Sequence, residues 1–170
     1  MEQWLEDVFQ KMENKFEAEC KRVGSKIPYW TEDGSYQTDY SQKDVNWWTN
    51  GFWPGILWKM YHATGKIIYK NTAEAVEAEL DRALWQFTGL HHDVGFMWLL
   101  SAVADYRLTG SEKSRSRGLL AASVLAGRYN PKGHFIRAWN PDCVEPGQDC
   151  TGWIIVDSMM NLPLLYWALF

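Results

Sequence analysis

The stretch GFWPGILWKMYHATG, residues 51–65, has an echo in GFMWLLSAVADYRLTG, residues 95–110. Both stretches begin with Gly-Phe, are almost entirely apolar, and end in the pattern Tyr-x-x-Thr-Gly. A segment that is apolar on nearly every side is typical of a buried helix, and a glycine commonly ends a helix. The second Tyr-x-x-Thr-Gly lies 45 positions after the first. A repeat of this length, with two helices in each unit, predicts an array of helices.

Helical spacing of apolar residues extends over most of the chain. We predict six helices, over residues 2–23, 50–65, 72–87, 93–109, 111–129 and 157–170. The second, fourth and sixth are apolar nearly all round, whereas the first, third and fifth carry a charged face. This alternation favours an all-α fold with an inner and an outer ring of helices, with an open solenoid or an irregular bundle as alternatives. We find no convincing pair of strands.

The composition is that of a globular protein. The chain has 170 residues, 46% of them hydrophobic and 22% charged, which fits one domain with a sizeable core. Its net charge of −4 argues against a nucleic-acid partner, which requires a basic surface. The 11 tryptophans weakly favour a carbohydrate site, because sugar rings stack on indole faces, although core packing explains most tryptophans.

The expected cellular location follows from three simpler observations. The acidic first residues do not resemble a signal peptide, and no run of about eighteen apolar residues predicts a membrane helix. The three cysteines are odd in number and scattered, which suits a reducing compartment better than a disulfide framework. We therefore expect a cytoplasmic protein without a membrane partner.

Polar and aromatic residues cluster where each predicted inner helix begins. These clusters are residues 46–50, 91–93 and 152–157. A ring of parallel inner helices gathers such ends on one rim of a common cavity, where side chains from separate segments converge. The sequence therefore predicts one site built from all three clusters.

Two acids in these clusters are candidates for catalysis. Asp93 and Asp157 each precede an apolar helix, and the alternative for both is an ordinary N-cap. Asp157 has the stranger setting, because Trp153, Ile154 and Val156 precede it and two methionines follow. A carboxyl group with such neighbours is expected to have a raised pKa, as a general acid requires at neutral pH. Asp157 also has Asn161 one turn later as a possible partner.

The run His91-His92-Asp93 suggests a metal site, but we do not predict one. Side chains of adjacent residues at a helix start are expected to diverge, and no His-x-x-x-His pair is present. The sequence also has no glycine-rich phosphate loop and no nucleophile elbow. No cofactor is expected.

Four segments resemble the unsaturated glucuronyl hydrolases of glycoside hydrolase family 88. They are WTNGFWPGILW (48–58), HHDVGFMW (91–98), IRAWN (136–140) and IIVDSMMNLPLLYWA (154–168). The resemblance implies an (α/α)6 barrel. It also implies a substrate with a 4,5-unsaturated uronic acid at its non-reducing end, of the kind that polysaccharide lyases leave. In this family, water is added across the vinyl ether double bond, and the product collapses to release the neighbouring sugar.

The resemblance also implies roles for individual residues. Asp157 matches the general acid and base, and Asp93 matches the second essential carboxylate, which orients and stabilises. Trp48, His92 and Trp139 match residues that line the sugar site. No metal or cofactor is implied.

The length of the chain departs from the family pattern. A full barrel needs about twelve helices and six are predicted here, so we expect residues 1–170 to form one domain that is the N-terminal half of a barrel, truncated at the C-terminus. Its exposed inner helices predict either self-association or a missing C-terminal half. The functional alternatives are an unsaturated rhamnogalacturonyl hydrolase and a carbohydrate-binding fragment without catalysis.

Overall fold

The computed structural model describes residues 2–87 and 89–169, most of which are helical. The helices are α1 (Gln3–Val23), α2 (Tyr40–Lys43), α3 (Phe52–Thr64), α4 (Ile67–Gln86), α5 (Val94–Leu100), α6 (Ala102–Thr109), α7 (Glu112–Ala126), α8 (Ser158–Asn161) and α9 (Pro163–Ala168). Two 3₁₀ turns cover Trp48–Gly51 and Pro141–Cys143. Strands β1 (Tyr129–Asn130) and β2 (Phe135–Ile136) form an antiparallel pair. In the described ranges no helix is both long and apolar enough to cross a membrane.

The helices form two layers. In one layer, α3 contacts α5 and α6, and α5 contacts α8 and α9. In the other layer, α1 contacts α4 and α4 contacts α7. Helix α4 covers α3, and helix α7 covers α5, α6 and α9. The predicted alternation of apolar and half-charged helices therefore corresponds to the two layers, and the all-α prediction is confirmed.

The repeated pattern Tyr-x-x-Thr-Gly ends two helices in the same way. Gly65 after α3 and Gly110 after α6 both have left-handed backbone angles, with φ of 69° and 74°. Each glycine donates its N–H to the carbonyl of the tyrosine four residues earlier, at 2.8 Å. Since a side chain is strained in this conformation, glycine is the residue that this cap requires.

The repeated Gly-Phe pair lets neighbouring inner helices approach closely. A Cβ atom at Gly51 would lie 2.4 Å from the carbonyl oxygen of Met97 in α5. A Cβ atom at Gly95 would lie 2.4 Å from Oδ1 of Asn161 in α8. Because each glycine has no side chain, the next inner helix along the chain packs closely against it. This packing brings the N-terminal ends of three inner helices together.

Two predicted helices are interrupted. The predicted fourth helix divides at Ser101, whose hydroxyl donates to the carbonyl of Met97 at 2.5 Å. The predicted sixth helix divides at Leu162 before Pro163, which has no N–H to continue the hydrogen-bond ladder. Phe170, the last residue of that prediction, lies outside the described residues.

The other differences concern boundaries and strands. Helix α4 begins at Ile67, five residues before the predicted start, and α7 ends at Ala126, three residues before the predicted end. The residues after α7 turn into the pair β1 and β2, which the sequence analysis did not predict. Strands of two residues are too short to produce a recognisable alternation of apolar and polar side chains.

A network of carboxylates is buried between α4, α6 and α7. Glu77 is 2% exposed and Asp105 is 1% exposed. The Trp58 indole donates to Glu77 Oε1 at 2.8 Å, and the Ser114 hydroxyl lies 3.2 Å from Glu77 Oε2 and 2.5 Å from Asp105 Oδ2. Burial, with a further contribution from Asp105, raises the pKa of Glu77 to about 7.

Arg117 supplies the positive charge of this network. Its Nη1 donates to Glu77 Oε2 at 3.1 Å, and its Nε and Nη2 donate to the two oxygens of Asp81 at 2.6 Å each. A guanidinium that forms a bidentate pair with one carboxylate and also reaches a second joins α7 firmly to α4.

Candidate active site

The structure brings together the two candidate acids from separate helix starts. Asp93 directly precedes α5 and Asp157 directly precedes α8. Nε2 of His92 lies between them, 3.1 Å from Asp93 Oδ1 and 3.4 Å from Asp157 Oδ1. Trp48, before α3, lies beside α5, with its ring 6.0 Å from that of Phe96. The predicted convergence of three helix ends is therefore present.

The tautomer of His92 follows from its other ring nitrogen. Nδ1 lies 2.6 Å from the carbonyl oxygen of Ala138, and a carbonyl can only accept, so Nδ1 carries a hydrogen. In the neutral ring, Nε2 then has only a lone pair to present to two carboxylate oxygens.

Two buried atoms at this point have no hydrogen-bond partner among the described residues. They are His92 Nε2 and Asp157 Oδ1, whose mutual contact lacks hydrogen-bond alignment. Buried polar atoms are nearly always paired in folded proteins, so two unpaired atoms in contact mark a position suited to a polar group of a ligand.

Asp93 is the buried member of the acid pair, at 2% exposed. Burial raises the pKa of Asp93 above its ordinary value, with opposing effects from His92 and Asn161. The Asn161 amide donates to Asp93 Oδ1 at 3.1 Å, while its own Oδ1 accepts from the backbone N–H of Phe96 at 2.8 Å. Asn161 thus holds the Asp93 carboxylate in a fixed orientation.

Asp157 lies in a more open setting than the sequence analysis expected. Its side chain is 42% exposed. The apolar residues around it in sequence point largely to solvent, with Val156 at 90% and Met159 at 65% exposed. The expectation of an apolar enclosure around Asp157 is therefore wrong, because the enclosed carboxyl group is that of Asp93.

The N-cap alternative is contradicted for both acids. Neither the Asp93 nor the Asp157 side chain accepts a hydrogen bond from the N–H groups of the helix that follows it. The suggested pairing of Asp157 with Asn161 is limited to the backbone, where the Asn161 amide lies 3.4 Å from the Asp157 carbonyl. The two carboxylates are directed at His92 instead.

His91 completes a group that could hold a metal ion. Ligand atoms of His91, His92 and Asp93 lie within 4.8 Å of one another, so the expected divergence of these side chains is wrong. Burial lowers the pKa of His91 to about 4, which leaves its ring neutral and able to act as a ligand. The donating amide of Asn161 on Asp93 Oδ1 opposes a cation there. The absence of a metal remains a prediction.

A groove of about 640 Å³ adjoins this cluster. Its walls carry several aromatic and polar residues, namely Asp44, Asn46, Trp47, Trp48, Gly89, His91, Trp139, Asp142 and Cys143. The Trp139 ring lies 5.0 Å from the rings of both His91 and His92 and so connects the groove wall to the His92 side chain. His92 is fully buried behind it. A sugar-lining role for Trp48, His92 and Trp139 remains a prediction.

The sequence analysis missed two residues of the site. Asn161 was considered only as a partner of Asp157, although its amide binds Asp93. Arg128 was not considered at all, although it binds the segment that carries Ala138 and Trp139. The spacing from Asp157 could have drawn attention to Asn161, whereas no motif surrounds Arg128.

Comparison with known proteins gives several relatives. No family model matches the chain. The chain is 39% identical over 149 residues to an unsaturated glucuronyl hydrolase from Bacillus sp. GL1. This match covers 87% of this chain and 38% of the relative. It is 35% identical over 153 residues to an unsaturated chondroitin disaccharide hydrolase from Streptococcus pyogenes serotype M1. This match covers 87% of this chain and 37% of the relative.

Solved structures agree with the sequence matches. The Bacillus sp. GL1 enzyme superposes with a TM-score of 0.75 at 36% identity, over 88% of this chain and 38% of the other. A mutant Streptococcus agalactiae unsaturated glucuronyl hydrolase complexed with dGlcA-GalNAc6S has a TM-score of 0.72 at 25% identity. The match covers 96% of this chain and 36% of the other. These neighbours are (α/α)6 barrels, so the predicted fold class is confirmed for the part that this chain supplies. The chain spans less than two fifths of the length of these proteins.

Proposed function

We propose that this chain belongs to the unsaturated glucuronyl hydrolases, which it resembles over the matched residues, and that it carries the acids of a glycoside hydrolase. The substrate is an oligosaccharide with a 4,5-unsaturated uronic acid at its non-reducing end. The observation that carries the proposal is the position of Asp93 and Asp157 on either side of His92 Nε2, beside a groove lined by tryptophans.

The reaction is the hydration of a vinyl ether. Asp157 delivers a proton to C4 of the unsaturated ring, and the positive charge that develops at C5 is shared with the ring oxygen. Water adds at C5 and returns its proton to the Asp157 carboxylate. The bond between C5 and the ring oxygen then breaks, which gives a ketone at C5 and a hemiacetal at C1. The hemiacetal loses the neighbouring sugar with its oxygen and a proton, and C1 becomes an aldehyde. The greater exposure of Asp157 supports this role, since the acid must reach substrate.

Asp93 and His92 are proposed to prepare Asp157 for this step. The buried Asp93 is held by Asn161 and keeps His92 directed at Asp157. A proton shared within the three groups lets Asp157 begin as an acid and continue as a base. Trp48 and Trp139 are proposed to stack against the sugar rings from the walls of the groove. No step of this scheme uses a metal or cofactor.

We propose that residues 1–170 are one domain that forms the N-terminal half of a barrel. The chain spans 38% of the Bacillus relative. Apolar side chains of the last helices are exposed, including Met160 at 61%, Tyr166 at 65% and Leu169 at 75%. Further helices of the same barrel, or a second copy of this chain, would cover them. The unpaired Cys20, Cys143 and Cys150 support a cytoplasmic location.

Loss of the ultraviolet absorbance of an unsaturated chondroitin disaccharide tests the function. The unaltered chain is expected to bleach the double bond, and Asp157→Asn is expected to abolish the bleaching. Asp149→Asn is the matched control, because it makes the same change at an exposed acid in the preceding loop and is expected to leave turnover intact. Equal turnover by wild type and Asp157→Asn would reject the assignment of the acid.

A binding fragment without catalysis is the second candidate, favoured by the short span of the chain relative to its relatives. It predicts quenching of tryptophan fluorescence by the disaccharide with no loss of absorbance. Turnover of a pectin-type but not a chondroitin-type disaccharide would instead support the rhamnogalacturonyl alternative, which none of the comparisons favours.

A further inference from the structure

Arg128, just beyond α7, binds two segments of the chain, at Leu90 and at residues 137–140, with all of its side-chain donors. Its five N–H groups face neutral oxygens at distances from 2.8 to 3.4 Å. The acceptors are the carbonyl groups of Leu90, Arg137, Ala138 and Trp139 and the amide oxygen of Asn140. Two of these residues adjoin His92: Leu90 lies two residues before it, and the Ala138 carbonyl contacts its ring. The His92 cluster comprises His92, Asp93, Asp157 and Asn161.

The charge of Arg128 is used for positioning and not for an ion pair. Within residues 2–87 and 89–169, no carboxylate lies in salt-bridge distance of its guanidinium. Burial and the nearby Arg137 lower the pKa of Arg128 to about 10, so it remains protonated at neutral pH. Hydrogen bonds from a charged donor are shorter and stronger than neutral ones, which makes this group an effective clamp for carbonyl oxygens.

One of those oxygens belongs to Ala138 and is shared with His92. The Ala138 carbonyl accepts from Arg128 Nη2 at 3.0 Å, from His92 Nδ1 at 2.6 Å and from the His92 backbone N–H at 3.3 Å. Ala138 is fully buried. Because this oxygen fixes the hydrogen on Nδ1, it also determines that Nε2 is the nitrogen presented to the two carboxylates.

We propose that Arg128 is a positioning residue for the reaction: by holding the Ala138 carbonyl, it fixes the tautomer and orientation of His92. Its hydrogen bond to the carbonyl of Trp139 also helps to orient His92, since the Trp139 ring packs 5.0 Å from the His92 ring. The consequence for turnover rests on the proposed function, whereas the effect on His92 does not.

The test reads the His92 ring directly. In a ¹⁵N-labelled chain, long-range nitrogen–proton correlation spectra distinguish protonated from unprotonated ring nitrogens, and His92→Gln identifies the signals. We expect a protonated Nδ1 in the wild type. A wild-type ring that is protonated only at Nε2 would overturn the proposal before any arginine is changed.

Arg128→Gln is then compared with Arg137→Gln. Both variants lose one positive charge from a second groove, which Arg128 and Arg137 line together, but among the described residues the Arg137 side chain makes no hydrogen bond or ion pair. We expect Arg128→Gln to lose the fixed Nδ1 proton and to show a mixture of tautomers, and Arg137→Gln to match the wild type. An unchanged His92 spectrum in folded Arg128→Gln would mean that Arg128 only anchors the loop.

Arg128→Lys provides a second variant in case the glutamine variant fails to fold by circular dichroism. Lysine retains the charge but cannot reach five acceptors, so a partial loss of the Nδ1 proton is expected, and an unchanged spectrum contradicts the proposal. Since the spectra require no substrate, a chain without turnover can still support the role of Arg128. If the wild-type chain has turnover and the His92 spectra of Arg128→Lys match the wild type, the role of Arg128 is refuted and the proposed function is not.

Discussion

Two groups of acids in this protein have their charges and hydrogen bonds arranged in opposite ways. The Glu77 network, which comprises Glu77, Asp81, Asp105, Ser114 and Arg117, contains its own cation and satisfies its carboxylates with internal donors. The His92 cluster contains no arginine or lysine and leaves His92 Nε2 and Asp157 Oδ1 without hydrogen-bond partners among the described residues. The first joins outer helices to the end of α6, and the second joins the starts of two inner helices.

The comparison teaches that a perturbed pKa does not by itself identify a working acid. Burial raises the pKa of both Glu77 and Asp93. Glu77, however, is enclosed by the packed helices, whereas the His92 cluster adjoins a groove and includes the half-exposed Asp157. Unpaired polar atoms beside open space are the better indication of chemistry.

The largest expected effect concerns the acids of the His92 cluster. In a chain with turnover, Asp93→Asn is expected to lower the rate by about 10²- to 10⁴-fold, because the amide cannot share a proton with His92 and Asp157. The same change is expected to leave the urea midpoint nearly unaltered. Asp105→Asn in the Glu77 network is the matched comparison, and an equal loss of rate there would remove the distinction between the two groups.

Removing the cation is expected to break the Glu77 network. Arg117→Met removes the ion-pair partner of the buried Glu77 and the bidentate partner of Asp81, which keeps only the longer contact with Lys113, and is expected to cost about 3–5 kcal/mol in the free energy of unfolding. Urea denaturation measures this cost. Arg115→Met, on the same helix but paired only at the surface, is expected to cost less than about 1 kcal/mol. Similar costs for the two variants would contradict the structural role of the network.

The Glu77 network also predicts a dependence of stability on pH. The pKa of Glu77 is about 7 in the folded chain against an ordinary value of 4.5, so the folded state binds more protons between these values. Its contribution to stability is therefore fully present below pH 4.5 and is lost as pH rises to about 7, by roughly 3 kcal/mol. Comparing urea midpoints of wild type and Glu77→Gln across this range isolates the effect. A constant difference between the two proteins would contradict it.

The smallest expected effect concerns the approach of α8 to α5. Gly95→Ala places a methyl group about 2.4 Å from Asn161 and is expected to cost about 1–3 kcal/mol in the free energy of unfolding while displacing Asn161 from Asp93. Thermal or urea unfolding measures the cost. Gly152→Ala, where a Cβ atom would meet nothing within 4 Å, is the control. Equal stability of both variants would mean that the two inner helices are not in close contact.

Much of the fold could be predicted from local features of the sequence. The Gly-Phe and Tyr-x-x-Thr-Gly repeats located the starts and ends of inner helices, because capping and close approach require glycine wherever they occur. The breaks at Ser101 and Leu162 were not predicted, since an apolar run has the same periodicity whether or not the helix within it is interrupted. The boundary of α4 was also missed.

The sequence by itself determined the helical class, the pairing of inner and outer helices, the resemblance to the unsaturated glucuronyl hydrolases and the two candidate acids. These depend on periodicity and on residue types at short spacing. Only the tertiary structure decided that Asp93 and not Asp157 is the enclosed acid, and that Arg128 and Ala138 control His92. Exposure, pKa and tautomer depend on atoms that come from distant parts of the chain, and no local pattern records which of those atoms will meet.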